Sequence, residues 1–124
     1  MTENQVFSVR YQQFAHKFYE LNIKRNTVSW FCVEVENVPS TQNAGPFRET
    51  PDRRVEKITD GHIVSLSKVE SIFLSGQRQN SNGSLEDTQR LNFIIDGATK
   101  TTFDFPTESI RNAFLFLMNV LNEQ

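Results

Sequence analysis

The sequence predicts an α+β domain: a mainly antiparallel sheet of five or six strands, with a helix near each end of the chain packed on it. Three observations carry that prediction. An apolar stretch, an Asp-Gly pair and a second strand-like stretch occur twice, around Asp60-Gly61 in residues 57–64 and around Asp96-Gly97 in residues 93–105. Tight hairpins favour turns whose central residues have φ > 0, which Gly adopts at little cost and Asp tolerates better than most. Residues 27–38, TVSWFCVEVENV, are rich in β-branched and aromatic side chains, as strands are. Residues 107–121 place apolar side chains at helical spacing after a proline.

Taken in order, the first segment carries two periods. Phe7, Val9 and Tyr11 alternate with polar residues, whereas Tyr11, Phe14, Ala15, Phe18 and Leu21 lie on one face of a helix. The spacing predicts a short extended entry and an amphipathic helix over residues 12–22, with Lys24, Arg25 and Asn26 turning the chain. In the strand that follows, Phe31, Val33 and Val35 share one face and Trp30, Cys32, Glu34 and Glu36 the other. The second face begins apolar and ends charged, so the strand should leave a covered region and emerge into water before Pro39.

Residues 39–52 hold three prolines and a glycine without a period, and residues 75–88 are rich in turn formers and amides. Long loops in compact domains are usually functional or mobile. With Phe47 and three prolines, the first loop should be the better ordered of the two. Between the loops, residues 54–59 and 62–67 should form a hairpin closed by Asp60-Gly61, and residues 68–74 a strand buried on both faces. Residues 89–95 and 100–105 make another pair, joined by a two-residue turn or by a four-residue loop, Asp96 to Thr99. In the final helix Thr107 suits the N-cap and Glu108 the first turn, where the helix dipole favours an anion. Ile110, Phe114, Leu117, Met118 and Leu121, widened by Ala113, Phe116 and Val120, should face the sheet. Hairpins closed by a C-terminal helix resemble the layout of pleckstrin-homology-like modules; the likeness is one of topology and implies no functional residue.

Length and composition bound the function. The 124 residues, 37% of them hydrophobic, allow one domain spanning residues 1–124, and eleven Phe and one Trp supply a core from few positions. A net charge of −2 gives no general attraction to polyanions. Cys32 is the only cysteine, which suits a reducing compartment. The amino terminus has no long apolar run of the signal-peptide kind, and no stretch is apolar enough for a membrane span, so a cytoplasmic location is expected.

Chemistry is sparse. His16, His62 and Cys32 are isolated and no metal-ligand spacing occurs, so no metal and no cofactor are expected. Cys32 reads as a small buried hydrophobe in an aromatic strand and not as a nucleophile. Nucleophile elbows and phosphate-binding glycine loops are missing. Asp60 and Asp96 have work as turn formers. Glu34 and Glu36, about 7 Å apart on one strand face, match any solvated strand. No catalytic residue is assigned, and an enzyme is the less favoured outcome. Arg48, Arg53, Arg54 and Lys57 cluster with Phe47, but Glu49, Asp52, Glu56 and Asp60 are interleaved, so the stretch is locally neutral and unlike a phosphate-tracking face. Phe47 is either an interface anchor or a pin holding its loop to the body. The expected function is a non-enzymatic binding or assembly module that recognises a protein partner or itself as a homo-oligomer, through Phe47, Arg48, Arg53 and Arg54. The alternatives are a protein that binds or sequesters a nucleotide or other phosphate compound, or a small enzyme, with Arg48, Arg53 or Arg54 gathered near His62. Nucleic acid is a weaker candidate on the same arginines.

Overall fold

The computed structural model describes residues 5–38, 53–76 and 87–123. It is a mixed α+β structure of two antiparallel four-stranded sheets and one C-terminal helix. β1 (Phe7–Phe14), β2 (Lys17–Ile23), β3 (Thr27–Val38) and β4 (Arg53–Ser65) form the first sheet in that order. β5 (Ser71–Ser75), β6 (Thr88–Ile95) and β7 (Ala98–Thr101) form the second, and the two-residue β8 (Phe105–Pro106) pairs with the start of β6. A short 3-10 turn, Leu66–Lys68, connects the sheets, and α1 (Thr107–Asn122) follows β8 directly.

The helix expected over residues 12–22 is instead the second half of a hairpin. β1 and β2 pair from Phe7↔Ile23 to Phe14↔Lys17, with a register slip beside Gln13 and only Ala15 and His16 in the turn. Neither turn residue has positive φ, so the hairpin closes without the glycine that would have signalled it. Alternation was the correct period throughout: Phe7, Val9 and Tyr11 face Ile23, Leu21 and Tyr19 across the pair. The helical coincidence of Phe14 and Phe18 arose from residues on either side of the turn.

The first Asp-Gly pair is also not a turn. Asp60 and Gly61 lie inside β4, opposite Cys32 and Phe31. The second is a turn of the two-residue kind: Ile95 pairs with Ala98, and Asp96 and Gly97 have φ of 52° and 78°. β5 is one-sided, with Ile72 and Leu74 half-buried and Ser71, Phe73 and Ser75 exposed, and not buried on both faces. The loop segments 39–52 and 77–86, with Phe47, Arg48 and the contrast drawn between the loops, lie outside the described residues.

The core sits between the sheets and under the helix. Three rows of the first sheet supply its floor, Phe7–Ile23–Val28–Val64, Val9–Leu21–Trp30 and Tyr11–Tyr19–Cys32; the last two rows end on β4 at His62 and Asp60, which are exposed. Trp30, 1% exposed, stacks on Phe93 of β6 with ring centroids 5.5 Å apart and planes 13° from parallel. Tyr19 stacks on Phe103 at 4.3 Å and meets Phe105 edge-on. Such aromatic pairs add about 0.5–1.5 kcal/mol each beyond the area they bury. From α1, the line Ile110, Ala113, Leu117 and Val120 is fully covered. Phe114 is half-buried, and Met118 and Leu121 of the expected face are 47% and 41% exposed, so the buried stripe is narrower than the sequence implies. Thr107 does not cap the helix with its side chain: Pro106 is the N-cap, and the buried Thr107 hydroxyl has no partner among the described residues.

Candidate functional site

The distinctive surface lies on the outer side of the first sheet, away from the core, and the register of β3 and β4 creates it. Pairing runs from Thr27↔Ser65 to Cys32↔Asp60, then slips so that Val33 faces Ile58. Thr59 is the extra residue of a β-bulge, a feature that bends a strand and re-aims its side chains. In an unbroken strand Ile58 and Ile63, five residues apart, would point to opposite faces. The bulge removes that difference, so Ile58 opposite Val33 and Ile63 opposite Ser29 share the outer face. They are 64% and 77% exposed, the highest values among the large hydrophobic residues described.

Gly61 lies between them, directly opposite Phe31. A Cβ at this position would sit 2.7 Å from Phe31 Cβ and 2.9 Å from the Trp30 carbonyl oxygen, so the strand can approach only with hydrogen there. Beside this close approach the outer face is hollowed. The hollow is open, about 440 Å³ in volume, and bordered by Phe31, Ile58, Gly61 and Ile63, with Asp60 and His62 at its edge. The His62 ring lies 5.5 Å from the Trp30 ring. Among the described residues β4 pairs only with β3, so the hollow also lies on the outermost described strand of its sheet.

The other half of the same face is polar. Arg10 donates to Glu20 and, across the sheet, to Glu56, each at 2.9 Å, and its guanidinium lies 5.4 Å from the centroid of the Phe18 ring. Ser8 Oγ donates to Asn22 Oδ1 at 2.6 Å. The hydrogen bond from Arg10, followed by its charge, holds the Glu56 carboxyl below the ordinary glutamate range, and the bonds to Glu56 and Glu20 raise Arg10. Beneath this cluster Val33 is 2% exposed despite being on the outer face.

Arg53 and Arg54 are exposed at the start of β4, opposite Val38 and Asn37. Arg54 borders a small depression with Ala15, His16 and Val35. His62 is eight residues further along, about 26 Å at ~3.3 Å per strand residue. The structure therefore brings Arg54 near His16 and does not bring it to His62. Glu34 lies in register between Lys17 and Lys57, a charge-alternating surface and not an isolated carboxylate pair. Among the described residues no group of three His, Cys, Asp or Glu side chains could hold a metal, and Cys32 is buried. Ile58, Ile63 and Phe31 were missed by sequence reasoning because their convergence depends on the bulge, and a one-residue slip leaves no mark in an alternation pattern.

No family model matches the chain, and no curated protein or solved structure matches it either. The described fold is thus the ground for any functional reading. No described helix is long and apolar enough to cross a membrane.

Proposed function

We propose that this is a non-enzymatic recognition module whose partner is a protein, and that the partner seats an apolar side chain in the hollow between Ile58, Gly61 and Ile63. The observation that supports the reading is the pair of exposed isoleucines which the Thr59 bulge turns to one face around a glycine. Interfaces are commonly anchored by a side chain filling a pocket that the surrounding contacts seal from water. Phe31, Ile58 and Ile63 make the hollow's border mainly apolar, which favours a hydrocarbon or aromatic anchor over a phosphate; Arg10 on the same face is bonded to Glu20 and Glu56, and Arg53 and Arg54 stand at the far end of β4. The adjacent β4, which pairs only with β3 among the described residues, offers backbone groups for an added strand from the same partner.

Affinity capture from native lysate, quantified against wild type, tests this. Ile58→Glu and Ile63→Glu should each keep the wild-type melting behaviour, since both side chains are exposed, and lose the captured partner. Arg53→Ala with Arg54→Ala should retain it. Capture unchanged in both isoleucine variants would refute the reading, and loss confined to the arginine variant would move the site to the start of β4.

A further inference from the structure

We infer that β5 is a self-association edge, and that a second copy of this chain pairs its own β5 antiparallel to it about a two-fold axis at Phe73. The inference concerns a different sheet from the hollow and does not depend on it. It begins with how sheet edges are protected. Exposed edges are normally blunted by charge, proline or a bulge, because unpaired N–H and C=O groups invite another strand. β4 carries Arg53, Arg54, Glu56, Lys57 and Asp60 with a bulge, β1 carries Arg10 and a register slip, and β7 carries Lys100. β5, Ser-Ile-Phe-Leu-Ser, carries none of these and pairs only with β6 among the described residues. The one acid beside it, Glu70, accepts a hydrogen bond from the Gly97 N–H at 3.3 Å and so is drawn towards the β6–β7 turn.

The identity of the occupant follows from the order of residues. Reversed, Ser-Ile-Phe-Leu-Ser reads Ser-Leu-Phe-Ile-Ser. Antiparallel pairing about Phe73 therefore sets Ser71 against the partner's Ser75, Ile72 against the partner's Leu74, and Phe73 against the partner's Phe73. Like meets like on both faces, as an isologous interface requires. The exposed row would match two phenylalanines, each 41% exposed in the single chain, between serine pairs. The half-buried row would continue each core with Ile72 and Leu74. Beside that row lies a groove of about 260 Å³ between β5 and α1, lined by Phe114, Met118 and Leu121, which a second copy would cover. The strand is held in shape for this: Asn92 Nδ2 donates to the Phe73 carbonyl and to Ser75 Oγ, and Thr101 Oγ1 donates to Asn92 Oδ1.

Sedimentation velocity and light scattering on the full chain provide the test. The wild type should show a concentration-dependent dimer. Phe73→Lys and Met118→Lys should each halve the apparent mass at matched concentration, and Ile63→Lys, on the other sheet, should leave it unchanged. Register is read by cross-linking: Phe73→Cys should form an intermolecular disulfide on mild oxidation, because Cα atoms about 4.5–5.5 Å apart across an antiparallel pair fall within disulfide reach. Ser71→Cys alone should not, whereas Ser71→Cys with Ser75→Cys in one chain should. A monomer at every concentration would overturn the inference. So would a dimer broken by Ile63→Lys, or one in which Cys at position 71 cross-links better than Cys at position 73. Should Phe73→Lys fail to fold, the cysteine pattern alone decides.

Discussion

Gly61 and Gly97 follow aspartates in the same sequence context and are required for opposite reasons. Gly97 has φ of 78° and open space around its absent side chain, so only the backbone conformation demands glycine. Gly61 has no positive φ and is crowded by Phe31 and the Trp30 carbonyl, so only space demands it. Substitution separates the two. Asparagine visits the left-handed region more readily than other residues, so Gly97→Asn should cost well under the roughly 1–2 kcal/mol that Gly97→Ala costs there. At position 61 even alanine should cost about 1–3 kcal/mol by overpacking, and asparagine at least as much. Urea denaturation of the four variants checks this, and Gly61→Asn matching Gly97→Asn would contradict the cross-strand placement. An Asp-Gly pair announces a backbone preference; it does not show whether a facing strand approaches, and hence it was readable at 96–97 and misleading at 60–61.

Among the elements, α1 was the most legible, because a proline start and a sustained apolar repeat leave few alternatives. Its facing was readable only to within one residue column. A 16-residue helix with Leu115, Met118 and Leu121 exposed carries more apolar side chains than its contact with the sheets uses. Leu117→Ala should cost about 2–5 kcal/mol by opening a cavity under the helix. Leu115→Ala, outside the buried line, should change stability by about 0.5 kcal/mol or less. Chemical denaturation gives the ranking. The β1–β2 hairpin was hidden because its turn, Ala15-His16, uses no turn-forming residue and its register slip mixes strand and helix periods. β3 was read correctly in both faces: Trp30 and Cys32 are buried, then Glu34 and Glu36 emerge as the strand leaves the core.

At the scale of the whole molecule, separation into two sheets follows from the 3-10 turn at Leu66–Lys68, where the chain leaves β4 and starts a strand that never returns to it. Nothing local in residues 62–74 distinguishes that from a continuing meander, which is why one sheet was expected. Among the described residues no strand of one sheet pairs with a strand of the other, and the two pack together through Trp30 on Phe93 and Tyr19 on Phe103. Across the first sheet the strands at its two edges are tied by Arg10 and Glu56. The Glu56 carboxyl is held below its ordinary value near 4.5, so the folded state binds that proton less readily than the unfolded chain. Its contribution is therefore fully present above the ordinary value and is lost as pH falls through the lower folded-state value. Glu56→Gln should flatten the acid limb of the stability profile below pH 4.5 and leave the neutral region nearly unchanged, since exposed pairs contribute little. Thermal melts across pH measure it; a parallel acid limb in wild type and variant would show that the tie does not form in solution.

Cys32 sits in the middle of β3, 3% exposed, between Tyr19 and Asp60 in register. As the chain's sole thiol, it gives the molecule a chemical clock. A thiol reagent can reach the sulfur only when β3 parts from its neighbours or the core loosens, so the labelling half-time measures how often that opening occurs. Labelling should be slow in native buffer and accelerate in Leu117→Ala, which loosens the core from the helix side. In Ile63→Glu, which changes only the exposed face, the half-time should match that of the wild type.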